Sequence, residues 1–477
     1  MTSVSKRHFV ELLIDKKRNR VVFAESDKDF VDVLFSFLTL PLGTVVHLLG
    51  NRSLLGAIDE LYSSAESLDP IYLNSIPCKS MILRPRSAAW VHCKRLGINL
   101  DDSDPEVFYR CRTWSEFSAR TCCISSYPNC LCSCGQVMDT IITTVLPVVG
   151  EEGGDGVFVK GVTRFMIGDD LGLQPVSMAE SLVLFKNLGI RDGNDLEKTT
   201  VLVGIDEILK LLERSLVSKT PLTDVFLHNA DNLESQHCMI QAREKHQMTS
   251  TESKRINLKL FLSNESSKVV YAEAKEDFVN LLFSFLTFPL GLIVKLLNKR
   301  SCMGSIDNLY DSVEALCSVS SDYMKSEECM NMLLSPKLPP YFGCSSQLLK
   351  IDEMLPQKHM IRFNGVKLDK VEMNPRCQNS GSENGGFVKS LVTFMVTDEM
   401  LITPFSPIAG VHMINKMIIP INCLEEVAVS IGEVEALNLL KACLNSRKVL
   451  SDFISPNLLA LLEEKWSGQL PSHSIVS

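Results

Sequence analysis

Residues 34–39 read Leu-Phe-Ser-Phe-Leu-Thr, and residues 282–287 read the same letters in the same order. The similarity continues outward, because residues 12–68 match residues 260–316 without a gap at roughly half of the positions. Chance does not produce a gap-free match of this length. The sequence therefore contains an internal repeat, and this repeat decides how the individual elements are assigned.

A second block of similarity follows in each half. Phe-Val-Lys stands at 158–160 and again at 387–389. Since the blocks keep their order, we predict a tandem duplication of one whole module. The predicted divisions are a first copy over residues 1–227, a polar linker over 228–257, a second copy over 258–455 and a C-terminal tail over 456–477.

Local patterns predict short β-strands and amphipathic helix pairs in each copy. Apolar runs at 9–14 and 20–24 flank a turn-forming Lys-Lys-Arg-Asn, which indicates a β-hairpin. Asp27 or Asp29 is a candidate N-cap for the helix that follows. The other predicted elements of the first copy are a helix at 53–68, strands at 158–167 and 199–203, and a helix at 206–216. Short strands segregated from helix pairs give an α+β fold.

The most apolar stretch covers residues 279–297 and is uncharged up to residue 294, which is long enough to span a bilayer. Pro289-Leu-Gly291 interrupts this stretch, as Pro41-Leu-Gly43 interrupts its counterpart in the first copy. Proline and glycine split such a run into two helices of roughly ten residues. We therefore predict a buried helix pair in each copy in place of a membrane span.

Composition and charge narrow the class of protein. Hydrophobic residues make up 45% of the chain, and the net charge is −9 with a pI near 5.6. An acidic chain lacks the basic surface that nonspecific nucleic-acid binding needs. The N-terminal stretch has no apolar region of the secretory type, so the 16 cysteines are expected to stay reduced, in the cytoplasm or the nucleus.

A Cys-rich insertion at about 109–138 carries the candidate chemistry. Its cysteines are Cys111, Cys122, Cys123, Cys130, Cys132 and Cys134. Structural zinc takes four tetrahedral ligands, often as two close pairs. We predict Cys111, Cys122, Cys132 and Cys134 as zinc ligands, with Cys123 and Cys130 as alternatives. Free thiols in a loop are the other interpretation. The second copy has only Cys344 and Cys377 here, so any such site belongs to the first copy.

The duplication offers no repeated catalytic set. None of the nine histidines recurs at a matching position, although histidine is the commonest general acid or base. Asp59 recurs as Asp307 and Asp169 recurs as Asp398, and we interpret these carboxylates as capping groups or as partners of the nearby arginines. Nucleotide-binding glycine motifs are absent from the sequence. We therefore predict neither catalytic nor cofactor-binding residues.

Several of these blocks together resemble a plant protein family catalogued as domain of unknown function 674. The residues that carry the resemblance are 21–25, 29–43, the two Phe-Val-Lys segments and 223–226. The resemblance implies a repeated module and brings no catalytic residues. It also implies a cysteine pair spaced like a zinc knuckle, for which this chain has Cys-Leu-Cys-Ser-Cys-Gly at 130–135.

These observations favour a non-enzymatic interaction or scaffold protein built from two related modules. We expect protein partners and no nucleic acid, while the oligomeric state stays open. One alternative is a zinc-dependent binding module in the first copy. Another is an enzyme that uses Asp, Glu and Cys without histidine.

Overall fold

We describe the structure from a computed structural model of the chain. The described residues are 7–94, 96, 107–114, 122–143, 156–161, 164–227, 254–263, 268–319, 323–343, 348–356, 358–363, 366–376 and 385–454. Most of the predicted linker, the predicted C-terminal tail, and Cys344 and Cys377 lie outside the described residues.

The strands form two five-stranded antiparallel sheets and two smaller sheets. The strands of the first half are β1 (His8–Asp15), β2 (Arg20–Ser26), β3 (Val107–Cys111), β4 (Cys130–Leu131), β5 (Val137–Thr143), β6 (Phe165–Gly168), β7 (Leu173–Pro175) and β8 (Leu196–Val203). Those of the second half are β9 (Ile256–Ser263), β10 (Lys268–Ala274), β11 (Lys358–Phe363), β12 (Val366–Val371), β13 (Phe394–Thr397), β14 (Ile402–Pro404) and β15 (Leu424–Ile431).

The large sheets have matching strand orders, β7-β6-β2-β1-β8 in the first half and β14-β13-β10-β9-β15 in the second. The small sheets differ, because β3-β5-β4 has three strands and β11-β12 is a hairpin. The two halves therefore share a framework and diverge in their insertions.

Helices alternate with the strands along both halves of the chain. Those of the first half are α1 (Lys28–Ser36), α2 (Leu42–Leu48), α3 (Ile58–Ser67), α4 (Ile76–Leu83), α5 (Trp90–Lys94), α6 (Met178–Asn187), α7 (Ile205–Val217) and α8 (Pro221–Phe226). Those of the second half are α9 (Glu276–Leu286), α10 (Leu290–Leu296), α11 (Ile306–Val319), α12 (Glu327–Leu334), α13 (Pro407–Lys416), α14 (Glu433–Asn445) and α15 (Val449–Phe453). Together with the sheets they confirm the predicted α+β class.

Several local predictions are confirmed. Strands β1 and β2 form the predicted hairpin, and Asp27 caps α1 by accepting hydrogen bonds from the backbone N–H groups of Asp29 and Phe30. The apolar stretch of the second half is split before Pro289 into α9 and α10, whose middle residues are buried. No helix within the described ranges is long and apolar enough to cross a membrane.

Two predicted boundaries are wrong, and contacts between the halves explain both. The helix predicted at 53–68 begins only at Ile58, because Gly56 turns at φ +41° against the backbone of Cys443. The strand predicted at 158–167 is confined to β6 within that range, because Val159 pairs instead with Met324 of the second half. Pairing with a distant segment leaves no trace in local periodicity.

The two Pro-Leu-Gly segments meet at the centre of the molecule. The N–H of Leu42 donates to the carbonyl of Phe288 at 2.9 Å, and the N–H of Leu290 donates to the carbonyl of Leu40 at 3.0 Å. Glycine is needed at position 43, because a Cβ there would lie 2.6 Å from the carbonyl oxygen of Ile82 in the same half and 3.1 Å from that of Leu286 in the other half. The contact is reciprocal, as at the isologous interface of a symmetric dimer.

Other contacts repeat the same reciprocity. Helix α3 packs against β14 and α9, while α11 packs against β7 and α1. The N–H of Leu173 donates to Ser312 Oγ at 2.8 Å, and the N–H of Ile402 donates to Ser64 Oγ at 3.0 Å. One hydrophobic core contains buried side chains from both halves. The two halves therefore stabilise each other and do not form separate domains.

Candidate metal centre

The three-stranded sheet of the first half positions three of the predicted ligands. Cys111 is the last residue of β3, while Cys132 and Cys134 lie in the turn between β4 and β5. The turn closes with hydrogen bonds from the Cys132 N–H to the Gln136 carbonyl and from the Gly135 N–H to the Cys132 carbonyl, both of 2.8 Å. Gly135 has φ +83°, which glycine adopts without strain. A sharp turn thus presents both thiols on one side.

Cys122 reaches the same place from another segment. Two residues that follow Cys122 form β-bridges with different segments. Ser125 pairs with Tyr109 of β3, and Ile124 pairs with Glu372 of the second half. The backbone N–H of Met373 also donates to the Ile124 carbonyl at 2.9 Å. The position of this fourth thiol therefore depends on both halves of the chain.

The four predicted ligands lie together. One ligand atom from each of Cys111, Cys122, Cys132 and Cys134 lies within 4.8 Å of all the others. The sulfurs of Cys111 and Cys134 are 3.7 Å apart. Tetrahedral zinc with bonds of about 2.3 Å to sulfur places its sulfurs about 3.8 Å apart. The cluster has the ligand type, number and spacing to hold a metal ion.

Burial and local donors give the thiols different acidities. Cys111, Cys122 and Cys132 are buried and Cys134 is exposed. Burial raises the pKa of Cys111 and of Cys122. For Cys134 the backbone N–H of Gln136 lowers the pKa to about 6. An exposed thiol that is easily deprotonated is the natural point of entry for a metal ion, because the thiolate is the binding form.

The two alternative ligands lie elsewhere. Cys130 is buried with its sulfur 2.9 Å from Ser125 Oγ, and burial raises its pKa to about 12. Cys123 is half-buried and its sulfur faces Ser133 Oγ at 3.9 Å. Neither belongs to the group of four thiols.

Sequence reasoning missed the contribution of the second half. Lys370 of β12 is buried and donates from Nζ to the Cys122 carbonyl at 3.0 Å. Glu372 accepts hydrogen bonds from both the N–H and the hydroxyl of Ser126, and burial raises its pKa. These residues lie outside the blocks that match between the two halves, so the sequence comparison gave no signal for them.

The repeated carboxylates have structural partners. Asp59 accepts a hydrogen bond from Ser53 Oγ at 2.6 Å, and Asp307 accepts the matching bond from Ser301. Asp169 binds Arg20 and Thr223, while Asp398 binds Ser451. Burial raises the pKa of Asp169, Asp307 and Asp398. Each carboxylate anchors a turn or a strand of its own half.

Fold and site together define an α+β protein of two similarly built halves, with a four-cysteine cluster at the contact between their insertions. The chain belongs to the family described as Protein of unknown function (DUF674), whose model matches residues 5–434. This confirms the resemblance found in the sequence. No curated protein and no solved structure matches the chain.

Proposed function

We propose that the chain is a non-enzymatic interaction protein whose two halves arose by duplication, and that its first half binds one structural zinc ion. One observation carries the zinc proposal, namely the convergence of Cys111, Cys122, Cys132 and Cys134 within 4.8 Å. Four thiolates favour zinc or an iron–sulfur group over hard cations. Four protein ligands also leave no open position for a water or substrate, which is typical of structural zinc.

The role of zinc would be to hold an insertion that is poor in regular structure. Strand β4 has two residues, and Cys122 lies outside any strand. Binding of zinc to four thiolates couples metal affinity to folding of such segments. The ordered insertion then offers its surface to the second half, as Ile124 and Ser126 do for Glu372.

Elemental analysis of protein purified without added metal tests this. We expect about one zinc per chain for the wild type and less than about one tenth for Cys132→Ser. Cys123→Ser is the matched control, since this neighbouring thiol is outside the group of four, and it should keep its zinc. Iron in place of zinc, or equal zinc in both variants, would contradict the proposal.

The interaction role is supported by exposed apolar side chains on corresponding helices of the two halves, α6 and α13. Met178 and Leu182 of α6 are 69% and 55% exposed, and Ile408 of α13 is 83% exposed. Exposed apolar groups of this kind mark contact sites for proteins. We place this role in the cytoplasm or nucleus, where thiols stay reduced.

Cross-linking followed by mass spectrometry tests the interaction role. The wild type is compared with a double variant, Leu182→Asp with Ile408→Asp, after both are shown to have the same zinc content and circular dichroism. We expect cross-linked partners of the wild type to be lost in the double variant. Identical cross-links in both proteins would remove the support for this role.

A further inference from the structure

Lys370 is the most unusual charged residue near the cysteine cluster. Its strand β12 belongs to the second half, and the residue is only 6% exposed. The ammonium donates to the Cys122 carbonyl at 3.0 Å and lies 5.5 Å from the centre of the Trp114 ring. Lysine is almost never buried to this degree unless it is paired with an opposite charge.

Among the described residues, the groups that contact this ammonium carry only partial negative charge. A carbonyl oxygen and the face of an indole ring attract a cation, but neither carries a formal charge. Among the described residues, no carboxylate forms an ion pair with Lys370. A buried charge without a counter-charge destabilises the folded protein. A nearby group that becomes anionic would offset this cost.

The sulfurs of the cluster can supply this negative charge. Cys123, which lies outside the group of four, acts most strongly on Lys370 by electrostatics, and the predicted ligands Cys122 and Cys132 follow. A divalent ion bound by four thiolates has a net charge of about −2, since four negative ligands exceed the charge of the ion. The buried ammonium would then face a buried anion, and each would offset the cost of burying the other.

We infer that Lys370 is an outer-sphere residue of the metal centre, which compensates the charge of the metal–thiolate group and holds the backbone of Cys122. This inference rests on the zinc site proposed above. It makes the centre a joint product of both halves, because the ligands come from the first half and the counter-charge from the second. Outer-sphere partners of metal ligands commonly change metal affinity by about 10–100-fold.

The experiment compares zinc affinity, by competition with a chromophoric chelator, for the full-length wild type, Lys370→Met, Lys370→Arg and Lys367→Met. Lys367 lies exposed on the same strand and serves as the control. We expect Lys370→Met to bind zinc at least about tenfold more weakly. Lys370→Arg should regain most of this loss because it keeps the charge, and Lys367→Met should equal the wild type.

A second measurement separates charge compensation from ordinary packing. Without metal, Lys370→Met should be as stable as the wild type or more stable, because a buried charge has been removed. A packing role would instead lower the stability of the metal-free protein. Unchanged zinc affinity in Lys370→Met would overturn the inference, and so would equal losses of affinity in the Met and Arg variants. Failure of the wild type itself to bind zinc would instead refute the proposed site.

Discussion

Asp32 and Asn280 occupy matching positions in α1 and α9, and each accepts backbone hydrogen bonds from the Phe-Val-Lys segment of its own half. The carboxylate of Asp32 accepts from residues 157, 158 and 159, whereas Asn280 Oδ1 accepts from residues 387 and 388. One half thus fixes this segment with a group that can ionise, and the other half fixes it with a neutral amide.

This difference predicts a pH effect on stability. Burial raises the pKa of Asp32 from 3.8 to about 6, although the backbone donors oppose the rise. Because the folded pKa is above the unfolded value, the stabilisation by Asp32 is complete below pH 4 and is lost as the pH rises to about 6. Relative to the wild type, Asp32→Asn should therefore gain about 2–3 kcal/mol in unfolding free energy between pH 4 and pH 7.

Denaturant unfolding at a series of pH values measures this difference between variant and wild type. Asn280→Asp is the matched control, since it places a carboxyl at the equivalent buried position and should create the opposite trend. A difference between Asp32→Asn and the wild type that stays constant from pH 4 to pH 7 would show that Asp32 is not responsible.

The close approach of the two Pro-Leu-Gly segments gives a second prediction. At Gly291 a Cβ would lie 2.5 Å from the Leu333 carbonyl oxygen and 3.1 Å from that of Leu38. Both are backbone atoms, so relief requires α10 to move away from α12 of its own half and from Leu38 of the other half. Gly291→Ala should cost about 1–3 kcal/mol of unfolding free energy, or more if the backbone cannot shift. Thermal unfolding provides the measurement, and Gly193→Ala, where a Cβ meets nothing within 4 Å, should be neutral.

Much of the framework could be predicted from the sequence, because its signals are local. The hairpin β1-β2 and the capping of α1 by Asp27 follow from turn residues and spacing within a few positions. The start of α3 could not be predicted, since it depends on a contact between Gly56 and Cys443. Chain contacts of this length leave no periodic pattern to read.

The same distinction applies to the cysteine cluster. The six cysteines lie close in the chain, so residue type and spacing predicted a cluster but left Cys123 and Cys130 as alternatives, and only the fold shows which four lie together. Lys370 lies 248 residues beyond Cys122, and only the folded contact between the insertions brings the two together. The sequence can therefore predict the cysteines, which lie near one another in one half. It cannot predict the contribution of the other half, which depends on the fold.

The two hydrogen bonds in which a serine of one half accepts from a backbone N–H of the other half give a third prediction. In Ser312→Ala the N–H of Leu173 loses its acceptor in a buried position. A buried donor left without a partner costs about 1–3 kcal/mol. Because the core is shared, we expect this loss to shift one common unfolding transition of both halves. Ser318→Ala, on the exposed side of the same helix, is the control and should change little.

Hydrogen exchange on separate segments tests whether that transition is common. Peptides from β1 and from β9 should lose protection together in Ser312→Ala, although the lost hydrogen bond joins β7 to α11. If peptides of one half exchanged faster while those of the other were unchanged, the halves would be independently stable units, and the shared core would be a weak contact.

Removal of the proposed zinc gives the last prediction, and it concerns the half that supplies none of the proposed ligands. Without zinc the segment around Cys122 loses its anchor, so the contacts of Ile124 with Met373 and of Ser126 with Glu372 weaken. Treatment with a zinc chelator should therefore increase amide exchange in β11 and β12 as well as in β3 to β5. Strands β9 and β15 should keep their protection, because they pair within the large sheet of the second half. An effect confined to the first half would mean that the metal orders its own loop only, and that the contact between the insertions persists without it.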